Sequence, residues 1–123
     1  MYAQAINNLG QIAGYYGGSG VEHGFFRDAD GTLTYPIDYP GAKGTRIRGL
    51  NDRGLMVGDY GTVGSDDFAF VLQNRVHFVS YDYPHEGEHF TIFWGVNNSG
   101  LISGFFQDFS GGGTHAFIAR VIR

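Results

Sequence analysis

The sequence has no cysteine among its 123 residues. Disulfides and thiolate chemistry are therefore excluded, while the compartment is left open. Positive charge is sparse: eight Lys and Arg stand against twelve Asp and Glu, for a net charge of −4. The basic residues are scattered, and phosphate binding needs a clustered basic face, so nucleic acid is not expected as a partner. No apolar run approaches the roughly 20 residues of a membrane helix, and no membrane span is expected. The opening MYAQAINN has neither a basic n-region nor an apolar h-region. A secretion signal has then either been removed or was never used. Rossmann and P-loop glycine patterns are absent, as is a Gly-x-Ser-x-Gly nucleophile elbow.

What the chain does have is glycine and aromatics: 21 Gly, 11 Phe and 8 Tyr, with 42% hydrophobic residues overall. Many turns joined by aromatic-rich strands predict an all-β protein, and the length predicts one small domain.

The chain repeats itself. AINNLGQIAGYY (5–16), GLNDRGLMVGDY (49–60) and GVNNSGLISGFF (95–106) align without gaps, about 45 residues apart, a period found in propeller blades. A second motif follows each: HGFF (23–26), FAFV (68–71) and HAFI (115–118). YPIDYP (35–40) and VSYDYP (79–84) close the first two units, and no third copy follows. The units span approximately 1–40, 41–84 and 85–123, the last lacking its final strand. Each reads as strands A to D. Strand A ends at Asn7, Asn51 or Asn97, and a tight turn follows through Gly10, Gly54 or Gly100, because Asn bonds its own backbone and Gly accepts positive φ. Strand B carries Gly14, Gly58 or Gly104, costly inside a strand unless something packs closely. A neighbouring sheet is the expected contact. Asp30-Gly31 marks a hairpin turn between C and D.

The Asn-x-x-Gly-x-x-x-Gly run, followed by His-Ala-Phe and Asp-x-Pro, resembles the bacterial HAF repeat, a family of extracellular repeats, and the resemblance covers essentially the whole chain. It implies β-propeller-like blades of four antiparallel strands and an extracellular or periplasmic location. It implies little chemistry. Phe68 stands where the other units have His23 and His115, which favours a packing or turn-bonding role for those histidines over a catalytic one.

Eleven strands make fewer than three full blades, and propellers usually carry four to eight. The chain is then part of a longer propeller, a different compact β shape, or one of two or more copies that associate. Association is favoured, a homodimer completing a six-bladed ring, since oligomers tend to close.

Positions where the units disagree are the candidates for function. HEGEH (85–89) lies in the loop between strands D and A, where the preceding unit has no ligand-type residues. His85 and His89 supply only two metal ligands, and Gly87 and Pro84 oppose the helix that an HExxH site needs, so no metal and no cofactor are expected. Glu86 and Glu88, with His89, are the candidate acid–base groups of a small glycosidase or esterase. The favoured reading of this loop is a polar segment with a binding role for His85. On strand A, Tyr2 and Gln4, Arg46 and Arg48, and Ile92 and Trp94 occupy matching places. If strand A lines a central channel, Arg46, Arg48 and Trp94 form a mixed lining, with Trp94 suited to stacking on a sugar or another flat ligand. The alternative packs Trp94 and Phe93 between blades. Asp66 and Asp67 are placed in the B–C loop, as solvated acids or oxygen ligands for calcium. The leading reading is a propeller-like binding or scaffold module for extracellular glycan or protein ligands; the rival is the small hydrolase.

Overall fold

A computed structural model describes residues 1–62, 66–83, 90–108 and 112–121. The described residues contain no helix and eleven strands in three antiparallel sheets. Strands β1 (Tyr2–Ile6), β2 (Ile12–Tyr16), β3 (His23–Arg27) and β4 (Leu33–Ile37) pair in sequence order as the first sheet. Strands β5 (Gly44–Leu50), β6 (Met56–Gly61), β7 (Asp67–Gln73) and β8 (His77–Tyr81) form the second in the same way. Strands β9 (Thr91–Val96), β10 (Leu101–Asp108) and β11 (Gly113–Arg120) form the third. The four-, four- and three-strand division expected from the repeat is thus the observed one.

The turns form as the Asn-Gly spacing predicts. Asn7 Oδ1 accepts from the backbone N–H of Leu9 and Gln11, Asn51 Oδ1 from Arg53 and Leu55, and Asn97 Oδ1 from Ser99 and Leu101, all at 2.9–3.0 Å. Gly10, Gly54 and Gly100 sit at φ of +76°, +80° and +82°, where a Cβ is strained. The Asp28–Thr32 turn closes through its own backbone bonds, with Gly31 at positive φ.

The sheets stack face to face. Ala13 and Phe26 of the first sheet pack with Ile47, Leu50, Met56, Phe70 and Leu72 of the second. The opposite face of the second sheet carries Val57, Ala69 and Val71 against Phe93 and Ile102 of the third. The middle sheet is therefore buried on both faces. Strands β1, β5 and β9 are each an edge strand of their sheet, and β5 runs beside both of the others.

The strand-B glycines answer to a different neighbour than expected. A Cβ on Gly58 would lie 1.9 Å from the carbonyl oxygen of Arg46 and 3.0 Å from the Phe70 ring. Gly14 meets Tyr2 and Phe25 in the same way, and Gly104 meets Ile92 and Phe117. The close approach is thus within the sheet, from strand A on one side and an aromatic of strand C on the other. Its cause is a β-bulge in every strand A. Pairing shifts register between Ala3 and Ala5, between Ile47 and Gly49, and between Phe93 and Gly95. One residue per unit is left without a partner across the ladder: Gln4, Arg48 and Trp94. The kink pushes the carbonyl two residues earlier into the space that a side chain on strand B would fill.

Candidate functional site

The three bulged residues lie on neighbouring edge strands, and a bulge re-aims the side chain it carries. In the second and third units this brings Arg48 and Trp94 together. The Arg48 guanidinium carbon sits 4.5 Å from the centre of the Trp94 ring and 5.7 Å from that of Tyr15. Tyr15 in turn packs on Tyr2, with ring centres 5.2 Å apart. Residues of all three sheets thus meet in one row, Trp94, Arg48, Tyr15 and Tyr2. Trp94 is 50% exposed and Tyr2 55%.

Beneath this row lies an ion network. Asp59, fully buried on β6, accepts from Arg48 Nε through Oδ1 and from Arg46 Nε through Oδ2, the latter at 2.8 Å. Arg46 Nη1 donates to Glu22 and Nη2 to Asp67, each at 2.7 Å. The guanidinium is held on three sides by carboxylates from two sheets, the arrangement its planar fork favours. Burial works against the charged Arg46, but Asp59, Asp67 and Glu22 outweigh it and hold its pKa above the ordinary value. Asp67 behaves in the opposite way. Burial first, and then the charge of Asp59, push its carboxyl up to about 8. Near neutral pH this carboxyl keeps its proton. Removing one partner from such a buried set leaves an uncompensated charge and is strongly destabilising, about 3–5 kcal/mol.

These positions revise the sequence reading in part. Asp67 is the first residue of β7, buried and hydrogen-bonded by Arg46, and not a solvated loop acid. Asp66 lines a small pocket of about 150 Å³ with Lys43, Arg46, Thr62 and Asp67. Arg46 is committed to its three carboxylates, whereas Arg48, its side chain 11% exposed and bonded to Asp59, packs over the ring of the half-exposed Trp94. His23 Nδ1 lies 2.8 Å from Asp38, joining the start of β3 to the end of β4, while Phe68 in the next unit packs on Tyr60. His85, Glu86, Glu88 and His89 lie outside the described residues. Among the described residues no group of three or more His, Asp or Glu is placed to hold a metal ion, and no helix is long and apolar enough to cross a membrane.

Three contributors were not anticipated: Glu22, Tyr15 and Asp59. Only Asp59 left a signal, as the acid in GDY where the other units read GYY and GFF. Compared with protein-family models, curated proteins and solved structures, the chain has no match.

Proposed function

We propose that the chain is a propeller-like binding module that takes a glycan at the rim formed by Trp94, Arg48, Tyr15 and Tyr2. One observation carries this reading. A half-exposed tryptophan stands on a bulged edge strand, with Arg48 over its ring and that arginine anchored on buried Asp59. Such a side chain is ordered before the ligand arrives, so binding spends little entropy on it. A pyranose offers an apolar C–H face to an aromatic ring, and its hydroxyls find donors in the adjacent guanidinium. The HAF-type motifs support the propeller-like scaffold and an extracellular or periplasmic setting, where glycans are the abundant ligand. The rival reading is a small hydrolase using Glu86, Glu88 and His89. It has one observation in its favour, the raised Asp67 beside Asp59, but Arg46 already occupies that carboxyl.

Trp94 is the chain's one tryptophan, so its fluorescence reports on the site directly. The chain is screened on an array of immobilised oligosaccharides, and each hit is titrated by tryptophan emission. The emission should shift on binding. Trp94→Ala should lose affinity by about tenfold or more on the array, with an unchanged far-ultraviolet spectrum. A chain that binds no glycan, or a Trp94→Ala variant that binds as well as wild type, overturns the reading. Turnover of a chromogenic glycoside, lost in Glu86→Gln, would favour the hydrolase.

A further inference from the structure

The two junctions between sheets are built alike. At the first, Asn7 Nδ2 donates to the Asn51 carbonyl and the Asn8 N–H donates to Asp52 Oδ1, at 3.1 and 2.8 Å. At the second, Asn51 Nδ2 donates to the Asn97 carbonyl and the Asp52 N–H to Asn98 Oδ1, at 3.0 and 2.8 Å. In each of these pairs the earlier unit donates to the later one, through the same two atoms onto the same two acceptors, while Asn98 Nδ2 donates back to Asp52 Oδ2 at 2.9 Å. The series leaves complementary ends. Asn97 Nδ2 and the Asn98 N–H have no partner among the described residues, and both residues are exposed. The Asn7 carbonyl accepts only from the Gly10 N–H, and Asn8 Oδ1 accepts from none of the described residues.

The apolar faces repeat the pattern. Ile118 pairs with Ser103 across the third sheet, as Val71 pairs with Val57 and Phe26 with Ala13. Val71 is 7% exposed, covered by the next sheet, whereas Ile118 is 77% exposed. It borders an open groove of about 340 Å³ with Val96, Leu101 and Ser103. At the other end, Ile6 occupies the place of Leu50, each paired with the first residue of strand B. Leu50 is 6% exposed against the preceding sheet, and Ile6 is 69% exposed. Within the chain these two kinds of position meet: Phe26 and Leu50 share one core cluster, and Val96 packs against the cluster that holds Val71.

We infer that the Asn97–Asn98 end of one copy docks on the Asn7–Asn8 end of a second copy, forming a third junction like the two inside the chain. Asn97 Nδ2 and the Asn98 N–H donate to the Asn7 carbonyl and to Asn8 Oδ1, and Ile118 packs beside Ile6. The contact is head-to-tail, because donors and acceptors lie at opposite ends. It closes a ring when the rotation per copy allows, two copies supplying six units. The inference requires no ligand and stands apart from the glycan reading.

Light scattering on a sizing column tests it with Ile6→Arg and Ile118→Arg, both at exposed sites and so compatible with folding of the single chain. At about 100 µM wild type should show twice the 13.5 kDa of the chain, or a larger whole multiple. Each variant alone should run as a monomer, because every junction then contains a damaged end. An equimolar mixture should give a two-chain species, since the intact ends of the two variants face each other. A monomeric wild type overturns the inference. So does either variant associating alone, which marks a two-fold contact, and so does a mixture with no two-chain species. Tryptophan titration with a glycan reads the ligand site in any of these states, so the two readings fail separately.

Discussion

Asp67 shows how one buried carboxyl sets a pH dependence. Its pKa in the folded chain is about 8, against an ordinary 3.8. The folded chain therefore holds a proton that the unfolded chain gives up across that range. Stability from this group is fully present below the ordinary value and is lost as pH rises through the raised one. Asn at this position supplies a carbonyl for Arg46 and a permanent N–H toward Asp59, with no proton to lose. Urea unfolding between about pH 5 and about pH 9 should show wild type weakening toward the alkaline end, with a flatter profile for Asp67→Asn. Equal slopes would show that the carboxyl is already ionised. The burial that causes this was not legible in the sequence. Asp66-Asp67 after Gly-Ser reads as a loop, and only the pairing of Gly61 with Asp67 draws the second acid into β7. Asp59 was readable in principle as a pattern break, but its partners Glu22 and Arg46 come from another turn and another strand.

At the scale of an element, the repeated Asn does two separable things. Its Oδ1 closes its own turn, and its Nδ2 ties that turn to the following unit. Asn51 does both and is buried, while Asn97 has only the first among the described residues. Asn51→Ala should cost on the order of 2–3 kcal/mol, since it strips acceptors from two backbone N–H groups and a donor from the Asn97 carbonyl. Asn97→Ala should cost roughly 1 kcal/mol less, because its turn is exposed and its Nδ2 makes no bond among the described residues. Urea unfolding under monomeric conditions measures the difference, and equal costs would show that the bond between turns adds nothing. Strand order and turns were legible because they follow from a period of about 45 residues and from Asn-Gly chemistry. The bulges were not, because a bulge is a property of pairing. Its trace, a glycine inside strand B, points equally well to a neighbouring sheet or to the strand alongside. That ambiguity hid what places Arg48 and Trp94 on one rim.

Across the whole molecule, the three sheets are unequal although their sequences are similar. The second is covered on both faces; the first and third are each covered on one. Similar side chains thus experience different surroundings. Met56 of the middle sheet is fully buried, and its counterpart Ile12 in the first is only partly so. In a stack whose units touch only their neighbours, stability is a sum of unit and junction contributions, so the unit with two junctions opens last. Amide exchange in the monomer should therefore be slowest in β6 and β7, and faster in β2, β3 and β10, which hold the same places in their own sheets. The strands at the two edges of each sheet, β1 and β4, β5 and β8, β9 and β11, should exchange faster than the strands between them, having hydrogen-bonded neighbours on one side only. Raising the protein concentration then becomes informative. A head-to-tail junction covers one face of the first sheet and one of the third, and it leaves the second as it was. Protection should rise in β2, β3 and β10 toward that of β6 and β7, while the middle sheet changes little. Uniform protection in the dilute monomer would mean that the stack opens as one unit. A rise in the middle sheet alone would place the contact between copies somewhere other than at the two open ends.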